Sequence, residues 1–154
     1  MTEVCLIGTE HVDLFNTLME HEVSRNALSP YSITIPFENS INLTTISLGA
    51  AVSLLNDLSW YLSRYVKEAL VLEPSIHKKE WLSRQLATAI RNEEIRPRTS
   101  KKFLKIYYLS RSEEILKLTR PIFTTREELS TLDPPHTDSS SQIIIRLLDS
   151  EFLI

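Results

Sequence analysis

Glycine is scarce in this chain, which has only Gly8 and Gly49 among its 154 residues. Loops that hold phosphate need several residues without a Cβ, because backbone N–H groups must approach the anion closely. Two glycines at this separation cannot form a Walker-type loop or a dinucleotide fingerprint. The sequence therefore argues against a nucleotide cofactor, and we predict no cofactor of any kind.

Cysteine is scarcer still, since Cys5 is the only one. A single cysteine excludes an internal disulfide and a zinc site built from several thiolates. Cys5 and His11 flank a predicted strand–turn–helix step, where a helix N-terminus can activate a thiol. Because Cys5 lies inside the apolar run rather than at its end, we interpret it as a core residue.

An uninterrupted apolar run is also missing. The most apolar window, residues 43–62, is long enough to span a membrane but contains Asn56 and Asp57. A charged residue in the middle of a span costs about 2.5–3.5 kcal/mol on insertion scales, so a buried helix is the better interpretation. The N-terminus lacks the basic region and apolar run of a secretory signal. We expect a cytoplasmic protein with no membrane contact.

The pattern of apolar residues predicts a predominantly helical α+β fold. Residues 2–7 predict a short buried strand, and 10–26 predict a helix. Residues 30–37 alternate as a half-buried strand does, and their two prolines favour a sheet edge. The central element is one long helix over about 43–71, or two helices that separate near Asn56. The expected architecture is this long helix, surrounded by shorter helices and a small edge sheet.

Shorter elements are predicted in the second half of the chain. A helix over 77–92 follows a serine that can cap it, Ser75. Segment 100–109 fits both a helix and a strand, and we favour the helix. Two sequences of the capping-box type predict further helices over 111–119 and 126–132.

Residues 133–141 have the composition of a linker. They are prolines and small polar residues, which divide the chain into a globular domain over 1–132 and an apolar tail over 142–154. Leaving the tail exposed would be costly, because burial of each large apolar side chain is worth about 1.5–3 kcal/mol. The tail is expected to dock on the protein's own core. Two alternatives are docking on a partner and a homodimer that exchanges tails.

Positive charge is concentrated in residues 78–126. This span holds 13 basic and five acidic residues, whereas the remainder holds four basic and 15 acidic ones. The formal charges are therefore +8 and −11. Either the two parts neutralise each other, or the basic part forms a surface that attracts an anionic partner.

The helix assignments place several basic side chains along one exposed ridge. The predicted binding residues, for an acidic protein or for nucleic acid, are Arg84, Arg91, Arg96, Arg98, Lys101, Lys105 and Tyr108. Phosphates would contact the basic side chains, and Tyr107 or Tyr108 could stack on an unpaired base. An acidic protein surface is the preferred partner and nucleic acid the alternative.

Candidate catalytic and metal-binding residues are poorly arranged. His11 and His21 are ten positions apart, about 15 Å along a helix, whereas two ligands on one helix need a spacing of three or four. The pairs Glu93–Glu94 and Glu113–Glu114 are neighbours along the chain and point in different directions. We predict no catalytic residue and no metal site.

These observations favour a non-enzymatic interaction protein, such as an adaptor, assembly factor or regulator. It would use the basic surface within residues 78–126, and the apolar tail is a second candidate surface. The first alternative is a small nucleic-acid-binding protein with the same surface. The second is an enzyme whose site the sequence does not reveal.

Overall fold

The first strand of the chain lies inside a sheet and is buried on both faces. In the computed structural model, which describes residues 1–131 and 141–152, this strand (β1) covers Thr2–Gly8 and confirms the predicted strand. The other strands are β2 (Ser40–Thr45), β3 (Val66–Leu72), β4 (Trp81–Ser83), β5 (Phe103–Ser112), β6 (Ile115–Leu118), β7 (Ile122–Thr125) and β8 (Gln142–Leu147). The helices are α1 (Leu14–Glu20), α2 (Glu22–Leu28), α3 (Leu48–Asp57), α4 (Ser59–Tyr65) and α5 (Arg84–Arg91).

The eight strands form one mixed sheet that curls into a half-barrel. Their order is β2-β1-β3-β4-β8-β5-β6, and β7 pairs with the first half of β5. The pair β4–β8 is parallel and the others are antiparallel. At the open side of the curl, Glu38, just before β2, donates its backbone N–H to the Leu116 carbonyl of β6 at 2.8 Å. The two ends of the sheet therefore touch.

Alternating side chains of the sheet supply two separate cores. In β1, Val4 and Leu6 pack against the helices, whereas Cys5 and Ile7 join a cluster on the opposite face. That second cluster includes Phe37, just before β2, and residues of every strand except β2, so it fills the inside of the curl. Because both faces of the central strands are buried, their sequences are apolar runs without a clean alternation.

The expectation of a predominantly helical fold was wrong. Strands account for 34% of the structure and helices for 33%. The predicted long helix over 43–71 is instead the end of β2, then α3 and α4, then β3. Short apolar runs do not distinguish a buried strand from a buried helix, and the strand with which both β2 and β3 pair, β1, lies far away in the sequence.

The predicted helix over 10–26 is divided in two at His21, whose backbone is extended. Asp13 caps α1 by accepting the N–H of Asn16. Similarly, the predicted helix over 77–92 begins later, after β4, where Ser83 replaces Ser75 as the cap.

Segment 100–109 was wrongly assigned to a helix, because Phe103–Ser112 form β5. Instead of a helix over 111–119, β5 and β6 form a hairpin around Glu113 and Glu114. The predicted helix over 126–132 reduces to a single 3-10 turn at Leu129–Thr131. A capping-box sequence occurs in these places without a helix, since Ser and Thr hydroxyls also hydrogen-bond to the backbone in turns.

The predicted edge strand is present only as one bridge, between Thr34 and Asn42 of the edge strand β2. Most of the predicted linker over 133–141 lies outside the described residues, as do the last two residues of the tail. The tail's first half is β8, which lies between β4 and β5 in the sheet. Within residues 1–131 and 141–152, no helix has the length and apolar character that crossing a bilayer requires.

Candidate functional site

Four of the predicted binding residues lie between the last residue of α5 and the start of β5 along the chain. Arg91, Arg96, Arg98 and Lys101 are all exposed, and so is Lys102. Among the described residues, none of these five has a carboxylate within 4.0 Å. We call residues 96–102, with four basic and no acidic side chains, the basic segment.

The sequence of the basic segment makes a compact turn. Pro97 begins a 3-10 turn over Pro97–Thr99, where its fixed φ and missing N–H are tolerated. The hydroxyl of Thr99 donates to the Arg96 carbonyl, and the buried hydroxyl of Ser100 donates to the Pro97 carbonyl. The turn therefore satisfies its own backbone and leaves the charged side chains exposed.

Arg126 fastens the basic segment to the sheet. Its backbone N–H donates to the Lys102 carbonyl at 2.8 Å, and its Nε donates to the Lys101 carbonyl at 3.1 Å. The rest of its guanidinium makes two hydrogen bonds with Glu80, of 2.8 and 2.6 Å. This bidentate pair raises the pKa of Arg126.

Glu80 is the centre of a buried ion network. Besides Arg126, its carboxylate accepts a 2.8 Å hydrogen bond from the Nε of Arg146, which is only 2% exposed. The bonds from Arg126 first, and then from Arg146, lower the pKa of Glu80 to about 2 against the opposing effect of burial. Next to them, Nδ1 of His77 accepts the backbone N–H groups of Lys79 and Glu80. This contact fixes the backbone from which the carboxylate extends.

The remaining predicted binding residues do not lie on the same surface. Lys105 faces the inside of the curl, where its Nζ lies 2.6 Å from Glu68. Tyr108 is only 3% exposed, so the helical assignment that turned it towards water was wrong. Arg84 is half-buried and donates to the side chains of Asn56 and Ser59.

Tyr107 belongs to the same interior network as Lys105. Its hydroxyl donates to Glu68 at 2.7 Å, and the Lys105 ammonium lies 5.5 Å from its ring centroid. Burial first, and then the charge of Glu68, raise the pKa of Tyr107 above its ordinary value. Neither tyrosine of the pair is available to stack on a nucleic-acid base.

A small apolar cleft opens beside the basic segment. It has a volume of about 230 Å³ and lies between α5, the start of β5 and the end of β8. The apolar lining residues are Leu86, Ile95, Phe103, Leu147 and Leu148, and the polar ones are Thr99, Ser100, Lys102 and Asp149. The cleft therefore combines an apolar interior with a wall that belongs to the basic segment.

A larger cavity, of about 690 Å³, lies at the end of β1. Several of its polar side chains already serve the fold. Asn39 accepts the N–H of Leu14 and donates to the Thr9 carbonyl, Asp13 caps α1, and Glu38 faces Lys117 at 3.9 Å. These contacts account for Asn39, Asp13 and Glu38, and the lining also includes Glu10, His11 and Lys67.

The other sequence candidates lie apart from one another. Cys5 is 2% exposed in the second core, and burial raises the pKa of its thiol to about 12, which makes the thiol unreactive at neutral pH. In the part of the chain that the structure describes, no three His, Cys, Asp or Glu side chains are grouped as a metal site would require.

Sequence reasoning missed Glu80, Arg126 and Arg146. Glu80 lies 46 positions from Arg126 and 66 from Arg146, and no local pattern connects residues at such separations. The sequence contained one signal of this network, which was the charged residue Arg146 within the apolar tail. An arginine that is buried with such a tail requires an anionic partner, although the sequence does not indicate which one.

One comparison with known proteins gave a match. Residues 2–109 match the model of a family described as a family of unknown function, DUF5804. No curated protein and no solved structure matches the chain. The matched residues run from β1 into β5 and include all five helices and the basic segment.

Proposed function

We propose that this chain, which belongs to the family DUF5804, is a non-enzymatic interaction protein that binds an acidic surface of a partner protein through its basic segment. The observation that carries the proposal is the set of four exposed cations within residues 96–102 that have no carboxylate partner in the described structure. Unpaired cations at one place raise the local concentration of an anionic partner and steer its approach.

The attachment of the basic segment supports this proposal. Arg126 bonds to the carbonyls of Lys101 and Lys102 and is itself held by Glu80. A segment held in this way loses less conformational freedom on binding than a free loop does. Binding therefore costs less conformational entropy than it would for a flexible loop of the same length between α5 and β5.

An acidic protein is a better partner than nucleic acid for this surface. Sequence-tolerant binding of single strands relies on exposed aromatic rings that stack on bases. Tyr107 and Tyr108 are each 3% exposed, so neither ring can stack. The proposal uses the basic segment alone, because Ile143, Ile145 and Leu147 of the tail are buried in the sheet.

We place this interaction in the cytoplasm. The proposal is supported by the only cysteine, Cys5, which is a buried free thiol of the kind a reducing compartment preserves.

The test compares two charge reversals of equal size. The double variant Arg98→Glu with Lys101→Glu reverses two charges of the basic segment. The control, Lys78→Glu with Lys79→Glu, reverses the charges of two exposed lysines that lie within residues 78–126 but outside the basic segment. Affinity capture from the native cell, followed by titration with the purified partner, should show binding to the wild type and the control. The Arg98/Lys101 variant should bind at least tenfold more weakly, which is about 1.4 kcal/mol.

Two results would contradict the proposal. One is a partner that binds both double variants equally. The other is tight binding of a single-stranded oligonucleotide whose affinity falls steeply with salt, because that dependence is typical of phosphate contacts.

A further inference from the structure

From the cleft beside the basic segment we infer what kind of acidic surface the partner presents. We propose that it is a peptide segment with one aliphatic or aromatic side chain that enters this cleft, flanked on one side by carboxylates that pair with the basic segment. The inference rests on the proposed function and identifies the partner of the same site.

The size and lining of the cleft suit one side chain. Leu86 and Leu147 are 0% and 6% exposed and belong to its apolar lining. Its volume of about 230 Å³ is below the range of about 300–1,000 Å³ typical of small-molecule pockets, but far above the space that one water needs. A leucine or phenylalanine side chain fits these limits, as anchor residues of bound peptides do.

Charge at the cleft selects an acidic peptide and also gives it a direction. The lining carries Lys102, which belongs to the basic segment, and the exposed carboxylate of Asp149, which follows β8. Carboxylates of the peptide are attracted to the cations of the basic segment and repelled by Asp149. Acidic residues on the side of the anchor residue that faces the basic segment are therefore favoured over acidic residues on the side that faces Asp149.

The direct test uses short fluorescent peptides of defined chemistry. One has a run of glutamates followed by a single leucine and then serines, the second has the reverse order, and each has a version with alanine in place of leucine. Binding to the full chain is measured by anisotropy at about 50 mM salt, where electrostatic contacts are strong. One of the two leucine peptides should bind about tenfold more tightly than its own alanine version. For the peptide with the opposite sequence order, the affinities of the leucine and alanine versions should differ less.

Two variants of the cleft test the position of the anchor. Thr99→Phe adds bulk at an exposed residue of the lining, whereas Thr99→Ala removes the same hydroxyl and leaves the cleft open. Thr99→Phe should abolish the leucine preference and keep the weaker binding of the alanine peptide, and Thr99→Ala should keep both. Asp149→Asn should bring the affinities of the two peptide orders closer together.

The outcomes separate the two proposals. If leucine and alanine peptides bind equally, and both lose binding when Arg98 and Lys101 are reversed, then the anchor is wrong while the proposed function stands. If no acidic peptide binds at low salt, or an oligonucleotide displaces the peptides, then the proposed function fails as well. Self-association of the protein that Thr99→Phe abolishes would place a second copy in the cleft and overturn the peptide assignment.

Discussion

The Nε of Arg146 donates a 2.8 Å hydrogen bond to the carboxylate of Glu80, although 66 positions separate the two residues. Both are buried, and Arg126 donates to both oxygens of the same carboxylate, so that Oε1 accepts from both arginines. The three side chains connect the start of β4 to the end of β7 and to β8. Through Arg126 they also hold the basic segment, so this network connects the stability of the fold to the proposed binding surface.

Removing the anion from this network should be more harmful than removing its buried cation. Glu80→Gln leaves Arg146 charged and buried without an anion, which typically costs about 3–5 kcal/mol. Arg146→Met leaves Glu80 paired with Arg126 and also removes Nη1, which is buried without a hydrogen-bond partner in the described residues, so we expect about 1–2 kcal/mol. Denaturant titration measures both, and Glu94→Gln at an exposed site is the control. Equal losses from the two variants would contradict this assignment of the network.

Acid should weaken this network within a defined pH range. The pKa of Glu80 in the folded protein is about 2, below its ordinary value of 4.5. A lowered pKa contributes stability that is fully present above about pH 4.5 and is lost as the pH falls towards 2. We expect about 2 kcal/mol, less than the whole shift implies, because Arg126 is partly exposed and solvent screens its charge.

The measurement is the difference in unfolding free energy between the wild type and Glu80→Gln as a function of pH. This difference should shrink on acidification, since a protonated carboxyl resembles the amide. A difference that stays constant between about pH 6 and 3 would show that Glu80 is not ionised against the two arginines.

The hairpin between β5 and β6 should be improved by changing its turn. Glu113 and Glu114 have φ values of 50° and 70°, which place both in the left-handed region. Two-residue hairpin turns with this backbone favour Asn-Gly, because other residues are strained there. Replacing Glu113 by Asn and Glu114 by Gly should stabilise the protein by about 1–2 kcal/mol, or several degrees in Tm. Glutamine at both positions removes the charges without relieving the strain, and an equal gain from that variant would assign the effect to charge.

Gly8 allows a close approach between β1 and the turn before β2. A Cβ at Gly8 would lie 2.6 Å from the Asn39 amide nitrogen, and that amide bonds to Thr9 and Leu14. Because the side chain cannot move without losing these bonds, Gly8→Ala should destabilise the protein by about 1–3 kcal/mol. Asn39→Ala should have a similar cost, and the double variant should cost less than the sum of the two. The stability of all three variants is measured by thermal or denaturant unfolding. If the cost of the double variant equals the sum of the two single costs, then the close approach of Asn39 is not the reason for glycine at position 8.

Lys105 and Lys101 should respond differently to charge reversal. Lys105→Glu places a second carboxylate beside Glu68 in a partly buried site and should cost about 2–4 kcal/mol of unfolding free energy. Lys101→Glu changes an exposed side chain and should weaken partner binding without a measurable change in stability. Stability and binding are measured on both variants. If the Lys105→Glu protein is as stable as the wild type but binds the partner more weakly, then Lys105 belongs to the binding surface and the interior assignment is wrong.

The interior position of Lys105 also shows where sequence reasoning failed. Phe103, Lys105 and Tyr107 alternate with Leu104, Ile106 and Tyr108, and both sets are wholly or mostly buried. A strand with both faces covered looks like a helix when no partner strand is known, so the choice between them depended on tertiary contacts. The same ambiguity extended the helix predicted over 43–71 into residues that form β2 and β3, whereas the alternative of two helices that separate near Asn56 was confirmed by α3 and α4.

By itself, the sequence determined what depends on local chemistry. The buried strand at residues 2–7 and the core position of Cys5 follow from apolar runs and residue types near one another in the chain. The exposure of Arg91, Arg96, Arg98 and Lys101 follows from the cost of burying an unpaired charge. Only the tertiary structure decided that the sheet curls, that Arg146 is buried against Glu80, and that Lys105 faces inward. Strand pairing and buried ion pairs join residues that are distant in sequence, so local propensity carries no information about which partners meet.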